Sequence, residues 1–211
     1  MAQGTCIIVA AGSVDPQDLM LHVFQGDLLI AADAGYETLL GAGLRPDLVI
    51  GDFDSAKEPD TDIEIIKLPV EKDDTDTVYS VKEGFRRGYR NFIIYGGLGG
   101  QRISHTFANV QMLSMLVKMG GFGRLIRGNT EMFVLGETNK YTVRGCAGDH
   151  VSLFSLSECT TLSTDGLYYP LCNGTIKRSF PLGVSNHLTG EEALLTVHDG
   201  EILVVIEHLC S

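Results

Sequence analysis

The chain has 211 residues, 44% of them hydrophobic and 20% charged, and a formal net charge of −11. That length and apolar content suffice for one large domain or two small ones around a buried core and exclude a disordered chain. The acidic balance, without any cluster of Lys or Arg, argues against nucleic acid or an anionic membrane as a partner, so a small anionic ligand has to be met by a metal and by local donors.

Thr5 to Ala11 reads as a buried strand ended by Gly12-Ser13, and Asp15-Pro16 opens a helix carrying Leu19, Leu21, Val23 and Phe24. Leu28 to Ala32 is a second strand, with Asp33 at its terminus, and Tyr36 to Ala42 a brief helix closed by Gly43. The run Leu48-Val49-Ile50 then leads into Gly51-Asp52-Phe53-Asp54-Ser55. Two carboxylates one residue apart at the end of a buried strand point to the same end of a sheet, where they repel unless protonated, hydrogen-bonded or bridged by a cation.

Ile63 to Leu68 is a further extended run, and Lys72-Asp73-Asp74-Thr75-Asp76 opens a helix that runs to Gly88 with Val78, Val81 and Phe85 on its apolar side. One Asp or Thr at a helix start caps it, but three Asp in four positions exceed that need. Mg²⁺ prefers a few carboxylates plus substrate phosphates, so the two acidic knots together point to a nucleotide-phosphate site. Asn91 to Tyr95 is another strand, followed by Gly96-Gly97-Leu98-Gly99-Gly100, then Arg102, Ser104 and His105, then a helix from Thr106 to Lys118. Glycines let backbone approach phosphate, and Arg102 can clamp it in a bidentate manner, although the loop is neither a dinucleotide fingerprint nor a Walker loop.

Strands alternating with helices predict a largely parallel sheet with helices on both faces, and ligands then bind outside the strands' carboxyl ends. From Arg124 the pattern changes to short extended runs without helices, Leu125-Ile126, 132–135, 140–143, 150–156, 160–163, 183–185, 193–197 and 201–206, which reads as an antiparallel sandwich or a small barrel. The boundary between the two patterns falls near residues 123 to 135 and is drawn between 125 and 126, giving an α/β domain over 1–125 and a β domain over 126–211.

The five cysteines (Cys6, Cys146, Cys159, Cys172, Cys210) form no CxxC pair and no even framework, which favours idle thiols over a zinc ribbon or a disulfide scaffold. No basic stretch precedes the first apolar run, which is too short for a signal sequence, and no run reaches membrane length. The expectation is a cytoplasmic protein.

Asp33, the Gly51-Asp52-Phe53-Asp54-Ser55 and Lys72-Asp73-Asp74-Thr75-Asp76 motifs and the Gly-Gly-x-Arg-x-x-His loop stand in this order ahead of a β region, and the chain in this respect resembles the thiamine pyrophosphokinase family essentially from end to end. The resemblance implies an N-terminal three-layer α/β/α domain with a mostly parallel sheet, a C-terminal all-β sandwich, a homodimer with active sites between subunits, and Mg²⁺-dependent transfer of pyrophosphate from ATP to thiamine. By position it makes Asp52, Asp54, Asp73 and Asp76 the catalytic and metal residues. Asp33, Lys72, Arg102, Ser104 and His105 fall in the ATP and phosphate region. Gly166 to Leu171 and Gly183 to Asn186 look like the family's segments beside the thiamine pocket, which makes Tyr169, Ser185 and Asn186 the thiamine candidates. This sequence departs from the family pattern at Ser104, where an Asp is usual, and at Tyr168, where a Lys is usual. Tyr169 reads either as an aromatic that stacks on a flat cationic heterocycle or as an ordinary half-buried strand residue. Rival functions are a metal-dependent nucleotide-sugar transferase, which leaves the second acidic knot unexplained, and a non-catalytic nucleotide or thiamine sensor.

Overall fold

In a computed structural model, which describes residues 4–53, 62–71, 73–100 and 102–209, the chain divides into two units, Met1–Met112 with Gly120–Gly128 and Leu113–Met119 with Asn129–Ser211. The first contains strands β1 (Thr5–Val9), β2 (Leu28–Ala32), β3 (Leu48–Gly51), β4 (Glu64–Lys67), β5 (Asn91–Tyr95) and β6 (Phe122–Arg127). Every pairing among them is parallel, in the order β6-β5-β1-β2-β3-β4. Parallel strands buried on both faces read as continuous apolar runs, which is why β1, β2 and β3 are so plain in the sequence.

The two-residue period of a strand assigns the faces. Ile7, Val9, Leu29, Ala31, Val49, Ile93 and Tyr95 share one core with Leu19 of helix α1 (Pro16–Met20) and Leu39 of α2 (Gly35–Gly41). On the opposite face Cys6 and Phe92 lie against Gly84 of helix α3 (Asp76–Arg86). Helices on both faces make the unit three-layered. Burial pushes the Cys6 thiol far up, so it stays protonated inside the sheet, and the cysteines Cys6, Cys159 and Cys172 are free.

Helix α3 begins with Thr75, whose hydroxyl accepts from the Val78 N–H. Near its other end the buried Glu83 takes two hydrogen bonds from Arg86 and one from Arg87, and Arg87 reaches on to Glu64 of β4 at 2.7 Å. Helix α4 (Ile103–Lys118) starts three residues before the sequence reading puts it, so Ser104 and His105 lie in its first turn rather than in a loop. Helix α1 is shorter than the apolar spacing suggests: it stops at Met20, and Met20, Leu21 and Phe24 are exposed.

The second unit is antiparallel throughout. One of its sheets runs β12-β9-β14-β7, with β7 (Thr130–Leu135), β9 (His150–Ser155), β12 (Gly183–His187) and β14 (Ile202–Glu207). The other runs β11-β10-β13-β8, with β8 (Lys140–Arg144), β10 (Cys159–Asp165), β11 (Leu171–Lys177) and β13 (Glu192–Asp199). Buried Phe133, Val151, Leu153, Ile202, Val204 and Ile206 come from the first sheet and Val143, Leu162, Ile176, Leu195 and Val197 from the second, the inward alternation of a sandwich. The same unit buries Asp149, which accepts from the Cys146 and Leu209 N–H groups and pairs with His208 at 2.8 Å. Burial pushes the pKa of this carboxyl up, but those donors outweigh it and hold the group below the ordinary carboxylate value.

Two strands differ from the sequence reading. Leu125-Ile126, grouped there with the antiparallel runs, belongs to β6 and pairs in parallel with Ile94 and Tyr95. β11 was not anticipated because Asn173-Gly174 interrupts its alternation, with Asn173 in the left-handed region at φ 46°; as an edge strand it needs no continuous apolar run. Among the described residues no helix is long and apolar enough to cross a membrane.

Candidate active site

The strand order reverses about β1, because the chain winds outward through β2, β3 and β4 on one side and returns to β5 on the other. Crevices at the carboxyl ends of such strands bind ligands in doubly wound sheets. Here the crevice is a cavity of about 680 Å³, within the usual range for a small-molecule site. It is lined by Ala10 to Ser13 after β1, Asp33 after β2, Asp52 after β3, Gly96, Gly99 and Gly100 after β5, Thr75 to Thr77 at the start of α3, and Arg102, His105 and Asn109 of the α4 region.

Local backbone geometry aims these residues. Asp33 and Phe53 both sit in the left-handed region, at φ 51° and 55°; Asp tolerates this conformation, whereas a bulky Phe does so only where the surrounding structure imposes it. The Asp33 N–H donates to Ile50 O at 2.7 Å, which ties the ends of β2 and β3 together. Between β1 and β5 the backbones nearly touch: a Cβ on Gly12 would stand 2.2 Å from Gly96 O, so only glycine fits there. Asn109, buried on α4, donates its Nδ2 to Gly97 O at 2.8 Å and anchors the glycine loop from the helix side.

Of the residues singled out from the sequence, Asp33, Asp52, Asp76, Arg102 and His105 therefore share one cavity. Asp73 is exposed, and neither it nor Ser104 lines the cavity. Asp74 is drawn away by Lys82, 2.6 Å from its carboxylate, and Thr75 caps α3, so part of the second knot does serve helix chemistry. Asp54 and Lys72 lie outside the described residues. Sequence reading missed Gly12, Ser13 and Asn109; the only signal for Asn109 was a polar residue among apolar ones on α4.

A donor set of carboxylate oxygens suits a hard cation. Among the described residues no three His, Cys, Asp or Glu side chains gather closely enough to hold a metal by themselves, so a cation here would take its remaining oxygens from a ligand or from water.

In the β unit, Tyr169 is 65% exposed and Tyr168 57%. That removes the half-buried strand reading of Tyr169. The two rings meet edge to face at 4.8 Å, and Tyr168 stacks on His187 at 4.7 Å. Asn186 is buried and works on backbone: its Oδ1 accepts from the Tyr169 and His187 N–H groups, and its Nδ2 donates to Tyr169 O at 2.8 Å. Ser185 is exposed at φ 60°, with its N–H on Ser152 Oγ. Asn186 thus orients the aromatic patch, and Tyr169 offers it to solvent.

Fold and cavity together define a class: a doubly wound α/β unit with a carboxylate-lined crevice of small-molecule size at its switch point, joined in one chain to a β sandwich that presents aromatic rings. Comparison with known proteins narrows the class. A family model described as the catalytic domain of thiamin pyrophosphokinase matches residues 21–120, and one described as its vitamin B1 binding domain matches residues 139–200. The thiamine pyrophosphokinase of Bacillus subtilis (strain 168) is 30% identical over 212 residues, covering 95% of this chain and 97% of that protein. A crystal structure of thiamine pyrophosphokinase from Bacillus subtilis superposes with a TM-score of 0.87 at 26% identity, covering 98% of this chain and 100% of that one. One from Geobacillus thermodenitrificans gives 0.84 at 26% identity, covering 98% and 99%. The chain belongs to the thiamin pyrophosphokinase family.

Proposed function

We infer that the protein transfers pyrophosphate from ATP to the hydroxyl of thiamine, giving thiamine diphosphate and AMP. The observation that carries this reading beyond the family match is the meeting of Asp33, Asp52, Asp76 and Arg102 in one cavity at the switch point of the sheet. In the reaction the thiamine oxygen bonds to the β-phosphorus, the bond from that phosphorus to the bridging oxygen of the α-phosphate breaks, and AMP departs with that oxygen. Positioning supplies most of the rate in such transfers, because the protein does little covalent chemistry.

The glycine loop and the start of α4 receive the phosphates, since backbone N–H groups and a helix N-terminus favour anions, and Arg102 adds a charged donor. Asp52 and Asp76 are the residues proposed to hold Mg²⁺, together with Asp54; the ion would neutralise phosphate charge and orient the phosphate oxygens. Of Asp73 and Asp76, the latter is the better candidate for taking the hydroxyl proton, because it alone of the two lines the cavity. Tyr169 is proposed to stack on the cationic thiazolium or the pyrimidine ring of thiamine, held in place by Asn186. We take the α/β unit, with β6 on its side of the boundary that the sequence reading drew between 125 and 126, as the ATP-binding domain and the β unit as the thiamine-binding and dimerising domain. A cytoplasmic homodimer completes the proposal, supported by the exposed Tyr168, Tyr169, Phe180, Leu182 and Val184 of the β unit.

Incubation with ATP, Mg²⁺ and thiamine tests the reading by product identity. Equal amounts of AMP and thiamine diphosphate are expected, with no thiamine monophosphate accumulating. ADP as the nucleotide product would overturn the pyrophosphoryl assignment and leave a phosphate site, and tight binding without turnover would make the protein a sensor.

A further inference from the structure

The glycine loop after β5 is pinned from α4 by two contacts, Asn109 Nδ2 to Gly97 O at 2.8 Å and Gly99 N–H to Thr106 Oγ1 at 2.9 Å. Strand β6 backs the same loop. Its parallel register sets Ile126 beside Tyr95, so the next residue, Arg127, lies level with Gly96 where the loop begins. Leu125 and Arg127, two apart, share a strand face: Leu125 Cδ2 stands 2.9 Å from where a Cβ on Gly97 would be, and Arg127 Nη1 only 2.1 Å from the corresponding point on Gly99, with Cζ at 3.2 Å. The missing side chain at Gly99, a residue at φ 66°, is what lets the guanidinium lie directly on the backbone.

This arginine is chemically uncommitted. Arg45, Arg86, Arg87 and Arg144 are bound to carboxylates and Arg90 to backbone carbonyls, whereas among the described residues Arg127 forms no ion pair. A chain of net charge −11 that sets Asp33, Asp52 and Asp76 around the cavity repels a polyphosphate, and a second cation at the glycine loop offsets that repulsion. We propose that Arg127 is a positioning residue of the nucleotide site: its guanidinium lies across Gly99, holds the loop in its phosphate-receiving shape and keeps a positive charge behind it. The proposal rests on the assignment of the cavity to ATP.

Binding of Mg·ATP without thiamine, measured by calorimetry, is the first readout, and steady-state kinetics the second. Arg127→Gln should raise both the Kd and the KM for ATP about five- to thirtyfold, with kcat within about threefold, the thiamine KM within about twofold and the melting temperature unchanged. Arg127→Lys, which keeps the charge and loses the flat contact, should recover most of the ATP affinity, and the difference between wild type and Arg127→Gln should shrink as salt is raised. An Arg127→Gln protein that binds ATP within about twofold of wild type overturns the role of Arg127. So does one that loses affinity for both substrates together with melting temperature, the mark of a structural residue. Wild-type protein that fails to bind ATP at all overturns the nucleotide reading itself, which separates the two failures.

Discussion

The two units assemble their candidate residues in opposite ways. In the α/β unit, cavity residues come from the ends of four parallel strands and the starts of two helices, so the sheet's register decides which carboxylates meet. In the β unit, the exposed Tyr169 is held by one buried amide, Asn186, through hydrogen bonds to its backbone, and the neighbouring Tyr168 donates its N–H to His187 O. In the first arrangement Asp33 and Asp52 each stand one residue beyond a buried strand, and the buried Asn109 ties the glycine loop to α4. The second rests on a short backbone network around Asn186 and His187, and its rings face solvent. Substitutions should therefore separate chemistry from affinity along the same division.

The largest effect is expected in the α/β cavity. Asp52→Asn keeps size and removes a charge, so kcat/KM should fall about a hundredfold or more, about 3 kcal/mol of transition-state stabilisation, with the fold intact. Near wild-type turnover at saturating Mg²⁺ would take Asp52 out of the mechanism. The same substitution at Asp54 tests the residue of the pair that lies outside the described region.

In the β unit, Tyr169→Ala should raise the thiamine KM about five- to thirtyfold, roughly 1–2 kcal/mol of aromatic and cation–π contact, leaving the ATP KM and the melting temperature unchanged. Asn186→Ala should raise the thiamine KM similarly and lower the melting temperature as well, because it leaves the Tyr169 and His187 backbone groups without their partner. If Tyr169→Ala lowers the melting temperature as Asn186→Ala does and leaves the thiamine KM unchanged, Tyr169 is a packing residue and the contrast between the units fails.

The scaffold of the α/β unit can be loosened without touching its cavity. Glu83 is brought from an ordinary 4.5 to about 2, first by its hydrogen bond from Arg86, against burial, and then by Arg87. A depressed carboxyl contributes stability that is complete above its unfolded value and is lost as pH falls through its folded one. Stability should therefore decline between about pH 4.5 and 2, and Glu83→Gln should flatten that part of the profile by about 1–2 kcal/mol once solvent screening around the exposed Arg86 is allowed for. Thermal melts across that range check it; an unchanged acid limb in Glu83→Gln would assign acid unfolding to other groups. The smallest effect is expected at Asp73, which does not line the cavity: Asp73→Asn should leave kcat/KM within about threefold. A hundredfold loss there would place the second acidic knot closer to the chemistry than this arrangement allows.

Much of this arrangement was legible in the chain, since strands buried on both faces must be apolar over their whole length and Asp33 and Asp52 stand directly beyond two such runs. With the alternation of strands and helices and the second acidic knot, these gave the expectation of a parallel sheet, of the end of it that binds ligand, and of a cation there. Hydrophobic pattern records burial but carries no partner, so it grouped Leu125-Ile126 with the antiparallel strands, although β5 claims them, and it passed over the polar edge strand β11. Nor does it carry the conformation of a loop. Which acidic residues share a cavity was decided by tertiary structure, through the left-handed Asp33 and Phe53 and the capture of Asp74 by Lys82. Arg127 is the plainest case: nothing near it in the chain concerns phosphate, and only the parallel pairing of β6 with β5 lays its guanidinium on Gly99.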